Sequence, residues 1–185
     1  TSMCYPVSSM GSHVSVVPNH QLNRKTPLHT RANVAYFGTF GYELDLNKLS
    51  YEEISEVKQQ IAFMKEYREL IQFGTFYRLK SPFEGNETAW MTVSEDKKTA
   101  LVFWYRERNV VNADFTRVRL QGLDPDFIYR NEYNGTENYG DELMNLGLLT
   151  TDCTAGEPTS EDAPCTDYES RIYLLTTVAR IPSPL

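Results

Sequence analysis

The stretch Phe40-Gly41-Tyr42-Glu43-Leu44-Asp45-Leu46 decides the fold class of the first part of the chain. Large apolar residues alternate in it with Gly, Glu and Asp, which is the period of a β-strand. Just beyond it, Ser50 and Glu53 have the spacing of a capping box, and apolar residues then recur on one helical face as far as Gly74. The sequence therefore predicts a strand followed by a long amphipathic helix.

A second unit of the same kind precedes this one. Residues 2–8 are predicted to form a short buried strand that ends in a loop at 9–13, and Thr26-Pro27 predicts a helix start, with a stop at Gly38. The order strand, helix, strand, helix is typical of a β/α barrel or a doubly wound sheet. Because a β/α barrel needs eight units, these two either form a lone α/β layer or have partners outside the chain.

Short strands dominate the sequence from about residue 76. The run Leu101-Val102-Phe103-Trp104-Tyr105 is apolar on both faces and predicts a central strand, whereas Arg117-Val118-Arg119-Leu120-Gln121 alternates and predicts a half-exposed one. This pattern indicates an antiparallel β-sandwich. The fold class is thus α/β plus all-β, with domains at 1–74 and 75–185. The predicted strands are 76–81, 88–94, 99–106, 116–121, 127–133 and 169–179.

Composition excludes several function classes. Eighteen basic against twenty-five acidic residues give a net charge of -7, which argues against a nucleic-acid partner because phosphate contacts need clustered Lys and Arg. A mean hydropathy of -0.47 and the absence of a long apolar run argue against a membrane protein. The start of the chain lacks the features of a signal peptide, so we expect a cytoplasmic protein.

Two features favour secretion instead. Cys153 and Cys165 flank a polar stretch whose ends could meet in a disulfide. The Asn-x-Thr sequons at Asn86 and Asn134 would also suit a secreted chain.

The segment 8–21, Ser-Ser-Met-Gly-Ser-His-Val-Ser-Val-Val-Pro-Asn-His-Gln, resembles the bacterial and fungal α-galactosidases of glycoside hydrolase family 36. The resemblance covers nearly the whole chain except the polar stretch at 150–168. Further segments that carry it are Phe40-Gly41-Tyr42-Glu43-Leu44-Asp45-Leu46, Tyr67-Arg68-Glu69-Leu70-Ile71-Gln72, Ser81-Pro82-Phe83-Glu84-Gly85-Asn86-Glu87, Gly122-Leu123-Asp124-Pro125 and Gly140-Asp141-Glu142-Leu143-Met144-Asn145.

This resemblance implies that the chain is the last two units of a (β/α)8 catalytic barrel followed by the C-terminal β-sandwich. Its partners would be the rest of the barrel and the N-terminal domain of a parent protein, and relatives are often tetramers. The parent would hydrolyse terminal α-galactosyl residues of melibiose- or raffinose-type oligosaccharides with retention, without a cofactor or a metal. The family motifs Lys-Trp-Asp and Ser-Asp-Asp-x-Asp, which hold the two catalytic Asp residues, do not occur here, so we expect the chain alone to be inactive.

Ser9, Gly11 and His13 are predicted substrate-binding residues because they would follow the seventh barrel strand, and Glu43 because it would lie near the carboxyl end of the eighth. A turn with a hydroxyl and an imidazole suits the hydroxyl groups of a sugar. The alternative is structural: the turn itself would require the Gly, and the His would be hydrogen-bonded within the barrel. Glu43 and Asp45, two apart on one predicted strand, would share a face and could imitate a glycosidase pair. The interpretation we favour is that they lie near a strand end and bind the backbone or a neighbouring Arg, with supporting contacts to a sugar hydroxyl more plausible than catalysis.

A non-catalytic alternative is a carbohydrate-binding or oligomerisation module. In this interpretation an aromatic side chain would provide the platform on which a sugar stacks. Trp90 is the candidate, whereas Trp104 lies in the most apolar strand and is expected in the core.

Overall fold

The computed structural model describes residues 2–108, 110, 115–150 and 167–181. The chain divides into two compact units, Thr1–Gly74 and Thr75–Leu185. The predicted disulfide between Cys153 and Cys165 lies outside the described residues. None of the helices in the described part is both long enough and apolar enough to cross a membrane.

The first unit is built from two strands and two helices in alternation. The strands pair in parallel, in a register from Gly11 opposite Thr39 to Ser15 opposite Glu43. The predicted order strand, helix, strand, helix is therefore confirmed. The elements are β1 (Gly11–Ser15), α1 (Leu28–Ala35), β2 (Thr39–Glu43) and α2 (Tyr51–Phe73).

Helix α2 begins and ends where the sequence predicts. Ser50 and Glu53 form the complete capping box, in which each side chain accepts a hydrogen bond from the backbone N–H of the other residue. This arrangement satisfies two of the N–H groups that have no partner at the start of a helix. Val57, Met64 and Ile71 are buried along one face of the helix.

The predicted strand at residues 2–8 is wrong. Two hydrogen bonds, from Ser9 N to Pro6 O and from Met10 N to Val7 O, close a turn of 3-10 helix over Val7–Ser9. Backbone groups that bond to residues three positions away are not available to a neighbouring strand. Strand β1 therefore begins only at Gly11.

The second unit is an antiparallel β-domain. Six of its strands form one sheet in the order β3-β4-β5-β10-β7-β8, and β6 pairs with β9 in a second, two-stranded sheet. The elements are β3 (Thr75–Lys80), β4 (Glu87–Val93), β5 (Thr99–Arg106), β6 (Arg117–Val118), β7 (Phe127–Asn131), β8 (Glu137–Tyr139), α3 (Gly140–Asn145), β9 (Leu148–Leu149) and β10 (Glu169–Arg180).

Residues from both sheets share one hydrophobic core, an arrangement consistent with a β-sandwich. Met91, Trp104 and Tyr129 of the large sheet belong to the same buried cluster as Val118 and Leu148 of the small one. Strand β5 lies between two neighbours and is fully buried from Ala100 to Trp104, which confirms the predicted central strand.

The strand predicted at 116–121 is shortened to Arg117–Val118. The alternation itself is confirmed, since Val118 and Leu120 are buried while Arg117 and Arg119 are exposed. The ladder stops because Leu120 N donates to Leu143 O and not to a strand.

Candidate functional site

Strands β1 and β2 present two chemically different faces, because successive side chains of a strand point to opposite sides. One face packs on the helices: the ring of Phe40 stacks on Tyr36 at 4.9 Å between centroids, and Tyr42 donates from its hydroxyl to Gln60 Oε1 at 2.8 Å. The opposite face consists of small or polar residues, namely Gly11, His13, Ser15, Thr39, Gly41 and Glu43.

His13 and Glu43 form a pair on this polar face. His13 Nε2 lies 2.6 Å from Glu43 Oε2, a hydrogen-bond distance that holds both side chains together. In the register His13 is opposite Gly41, so Glu43 is its diagonal neighbour toward the carboxyl ends of the strands. The side chains are 50% and 74% exposed, so the pair is accessible from outside the unit.

The four predicted binding residues fall into two groups. Ser9 precedes β1 and donates from its hydroxyl to Pro6 O, and Gly11 is the first residue of that strand. Both lie at the amino end of the parallel pair. The expectation that Ser9, Gly11 and His13 follow the strand is therefore wrong, because the strand begins after Ser9 and contains the other two.

Asp45 is separated from Glu43 by the end of the strand. Strand β2 stops at Glu43, and Asp45 instead caps a short 3-10 turn by accepting from Asn47 N at 3.0 Å. The predicted placement of both carboxylates on one strand face is wrong. A retaining glycosidase needs two carboxyl groups about 5 to 5.5 Å apart, and among the described residues of the polar face Glu43 provides the sole carboxylate.

Arg31 supports the carboxyl end of β1, a role that no motif in the sequence indicates. Its guanidinium donates to Ser15 O at 2.6 Å and to Thr26 O at 3.0 Å. Burial lowers the pKa of the Arg31 guanidinium below its ordinary value, while the nearby Glu53 and Glu56 act in the opposite direction. The two hydrogen bonds of Arg31 fix the backbone at the carboxyl end of β1, two residues beyond His13.

A cavity opens beside His13 at this end of the unit. Arginine, asparagine, threonine and histidine side chains contribute to its wall, so a ligand rich in hydroxyl groups finds both donors and acceptors there. Its lining includes His13, Ser15, Asn19, Arg24, Thr26 and Arg31.

Tyrosine hydroxyls behind the polar face stay protonated. Burial, reinforced by the carboxylate of Glu56, raises the pKa of Tyr42 to about 12. Burial also raises the pKa of Tyr36, with smaller contributions from Tyr42 and Glu56. These phenols therefore serve as neutral packing and hydrogen-bonding groups beneath the strands.

The two tryptophans of the second unit do not form an open platform. Trp104 is completely buried in the core. Trp90 is half-buried, with its ring 4.7 Å from that of Tyr105 and 6.4 Å from that of Phe103. Within the described residues, no group of three His, Cys, Asp or Glu side chains could hold a metal ion.

Comparison with known proteins finds matches to both units. The melibiase family model matches residues 1–74, and the model of the glycosyl hydrolase family 36 C-terminal domain matches residues 87–175. Both matched models belong to one class of proteins, the glycoside hydrolases. The chain belongs to glycoside hydrolase family 36.

Curated relatives are named α-galactosidases. The chain is 54% identical over 148 residues to α-galactosidase AgaA of Geobacillus stearothermophilus, a match that covers 80% of this chain and 20% of the relative. It is 47% identical to the bifunctional α-galactosidase/sucrose kinase AgaSK of Mediterraneibacter gnavus, covering 80% of this chain and 16% of that protein. The chain therefore spans about a fifth of the length of these relatives.

Solved structures agree in fold. The crystal structure of AgaA from Geobacillus stearothermophilus matches with a TM-score of 0.85 and 47% identity, over 96% of this chain and 23% of that one. The α-galactosidase of Lactobacillus brevis matches with a TM-score of 0.85 and 41% identity, over 98% and 24%. An AgaA variant of the same similarity was solved in complex with raffinose.

Proposed function

We propose that the chain is the C-terminal portion of a retaining α-galactosidase that hydrolyses terminal α-galactosyl residues of melibiose- or raffinose-type oligosaccharides. The first unit would supply the last two β/α units of the (β/α)8 barrel. The second would be the C-terminal β-sandwich. The names of the relatives and the raffinose complex of one of them support this choice of substrate.

The observation that carries the proposal is the exposed His13–Glu43 pair. Side chains at the carboxyl ends of parallel barrel strands face the active site, and Glu43 is the last residue of β2. The polar face also offers the few placed hydrogen-bonding groups that orient a ligand in its pocket. His13 and Glu43 would therefore contact hydroxyl groups of the substrate, whereas Ser9 and Gly11, at the other end of the strands, would not.

Catalysis would depend on the parts of the parent that carry the nucleophile and the acid/base. With a single carboxylate on the polar face, the chain alone would not turn over substrate. Its partners would be the remainder of the barrel and the N-terminal domain, and the assembled parent would be a homo-oligomer.

The experiment is hydrolysis of an aryl α-galactoside by the intact parent protein, by the isolated chain and by point variants of the parent. Glu43→Gln should lower kcat/KM by about 10- to 150-fold, because a hydrogen bond to a charged group is worth about 1.5–3 kcal/mol. The matched control is Asp45→Asn, which removes an exposed carboxylate just beyond the strand and should leave kcat/KM unchanged.

Either of two results would contradict the proposal. One is turnover by the isolated chain that survives repurification. The other is a Glu43→Gln variant of the parent that is indistinguishable from Asp45→Asn. Unchanged circular dichroism of both variants would exclude a simple folding defect.

A further inference from the structure

The chain contains two Asn-x-Thr sequons in very different structural settings. Asn134 lies in the turn between β7 and β8, and Asn86 lies immediately before β4. We propose that Asn134 is the N-glycan acceptor of the folded chain and that Asn86 is not. This modification site is independent of the α-galactosidase proposal.

Asn134 presents its sequon in an exposed turn. Asn134, Gly135 and Thr136 are all exposed, and Thr136 donates to Asn134 Oδ1 from its backbone N–H at 3.1 Å and from its hydroxyl at 2.8 Å. Gly135 adopts φ +73°, which glycine tolerates without strain. The carboxamide and the threonine hydroxyl, the two groups that define the sequon, are thus displayed together.

The side-chain nitrogen of Asn134 is not engaged. Among the residues that the structure describes, none accepts a hydrogen bond from Asn134 Nδ2, and the Oδ1 atom takes both bonds from Thr136. An incoming sugar at Nδ2 therefore displaces no contact of the fold. The turn itself is held by backbone bonds from Gly135 N to Asn131 O and from Asn131 N to Thr136 O, which the modification leaves intact.

Asn86 is held on both sides of its carboxamide. Its Nδ2 donates to Arg108 O at 2.6 Å, and its Oδ1 accepts from Arg108 N at 2.9 Å. The threonine of this sequon, Thr88, lies within β4 and is paired with Tyr105 of β5. A transferase would have to break these two hydrogen bonds and unpair the start of the strand to reach this sequon.

The reaction at Asn134 is a glycosyl transfer from an oligosaccharide carried on a lipid diphosphate. A bond forms between Asn134 Nδ2 and the anomeric carbon of the oligosaccharide, and the bond from that carbon to the diphosphate oxygen breaks. The electron pair leaves with the lipid diphosphate, and the proton lost from Nδ2 passes to a base of the oligosaccharyltransferase. Nothing is oxidised or reduced.

The test uses the full folded chain as acceptor, with a purified oligosaccharyltransferase and a lipid-diphosphate oligosaccharide. Intact-mass spectrometry should show the gain of one oligosaccharide. The gain should disappear in Asn134→Gln and persist in Asn86→Gln. Synthetic peptides covering 80–92 and 128–140 are the matched controls for the two sequons outside the fold, and both should be modified.

Two outcomes would overturn the proposal. One is modification of the folded chain at Asn86 to the same extent as at Asn134. The other is a folded chain that stays unmodified at Asn134, whatever the peptides do. Modification of both peptides but of Asn134 alone in the folded chain would support the assignment, because only the structure distinguishes the two sites.

Discussion

The hydroxyl of Tyr129 joins two loops of the β-domain by hydrogen bonds, and its removal tests how much these bonds stabilise the domain. The ring is completely buried in the core. Its hydroxyl donates to Lys97 O at 2.7 Å and accepts from Asp124 N at 2.9 Å. Burial raises the pKa of Tyr129, so the group stays protonated and keeps its role as donor.

Tyr129→Phe should lower the free energy of unfolding by about 1–3 kcal/mol. The phenylalanine keeps the ring in the core but leaves the N–H of Asp124 and the carbonyl of Lys97 without this partner, and an unsatisfied buried polar group costs about 1–3 kcal/mol. Lys97 is exposed, so water can replace the lost bond at that carbonyl. The loss at the half-buried Asp124 N–H therefore dominates.

Urea unfolding followed by tryptophan fluorescence measures this loss, because both tryptophans of the chain lie in the β-domain. The matched control is Tyr173→Phe, which alters another fully buried tyrosine of the same sheet. The hydroxyl of Tyr173 donates to Thr150 O over a longer distance of 3.3 Å, and Arg171 also donates to that oxygen. We expect this control to cost less than about 1 kcal/mol. A loss for Tyr129→Phe equal to or smaller than the control would refute the reasoning.

Three further predictions concern other parts of the chain. The pKa of Tyr42 is raised from 10.0 to about 12, so the unfolded chain loses this proton first and the stability of the fold should fall as the pH rises from 10 to 12. Tyr42→Phe should flatten that fall, as followed by helical circular dichroism. An unchanged pH profile in the variant would contradict the prediction. Ser50→Ala removes the capping box and should lower the stability of the first unit by about 1 kcal/mol in thermal unfolding. Ser55→Ala, at an exposed position within α2, should not lower it. Equal melting temperatures of the two variants would argue against a role of the cap. Gly140→Ala should abolish the native fluorescence of the β-domain, because a Cβ there would lie 2.0 Å from a backbone carbonyl oxygen. Gly85→Ala should keep the native spectrum, because a Cβ at that position has nothing within 4 Å. Native spectra for both variants would show that the backbone near Gly140 can move aside.

Elements whose signals are local could be predicted from the sequence. Helix α2 is specified by a cap at Ser50, a period of apolar residues and a stop at Gly74, all of which act within a turn or two of the helix. Strand β5 is specified by an apolar run that only a central strand can bury. The alternation of exposed Arg117 and Arg119 with buried Val118 and Leu120 is likewise a property of neighbouring residues.

The prediction at residues 2–8 failed because a local hydrogen-bonding alternative was overlooked. Met3 and Tyr5 suggested a buried strand, yet they are 79% and 62% exposed. Pro6 has no N–H to donate to a ladder, and its carbonyl instead accepts from Ser9 in a tight turn. The error displaced the expected strand and, with it, the expected positions of Ser9 and Gly11.

The sequence by itself determined the family, the division of the chain into an α/β part and an all-β part, and the residue types of the candidate site. Only the tertiary structure decided that His13 meets Glu43, thirty residues further along the chain, while Asp45 turns away. It also decided that one sequon asparagine, Asn86, is bound by the distant Arg108 while Asn134 is exposed. The physical reason is that caps and periodicity act between residues close in sequence, whereas strand register and side-chain partners depend on which distant segments the fold brings together.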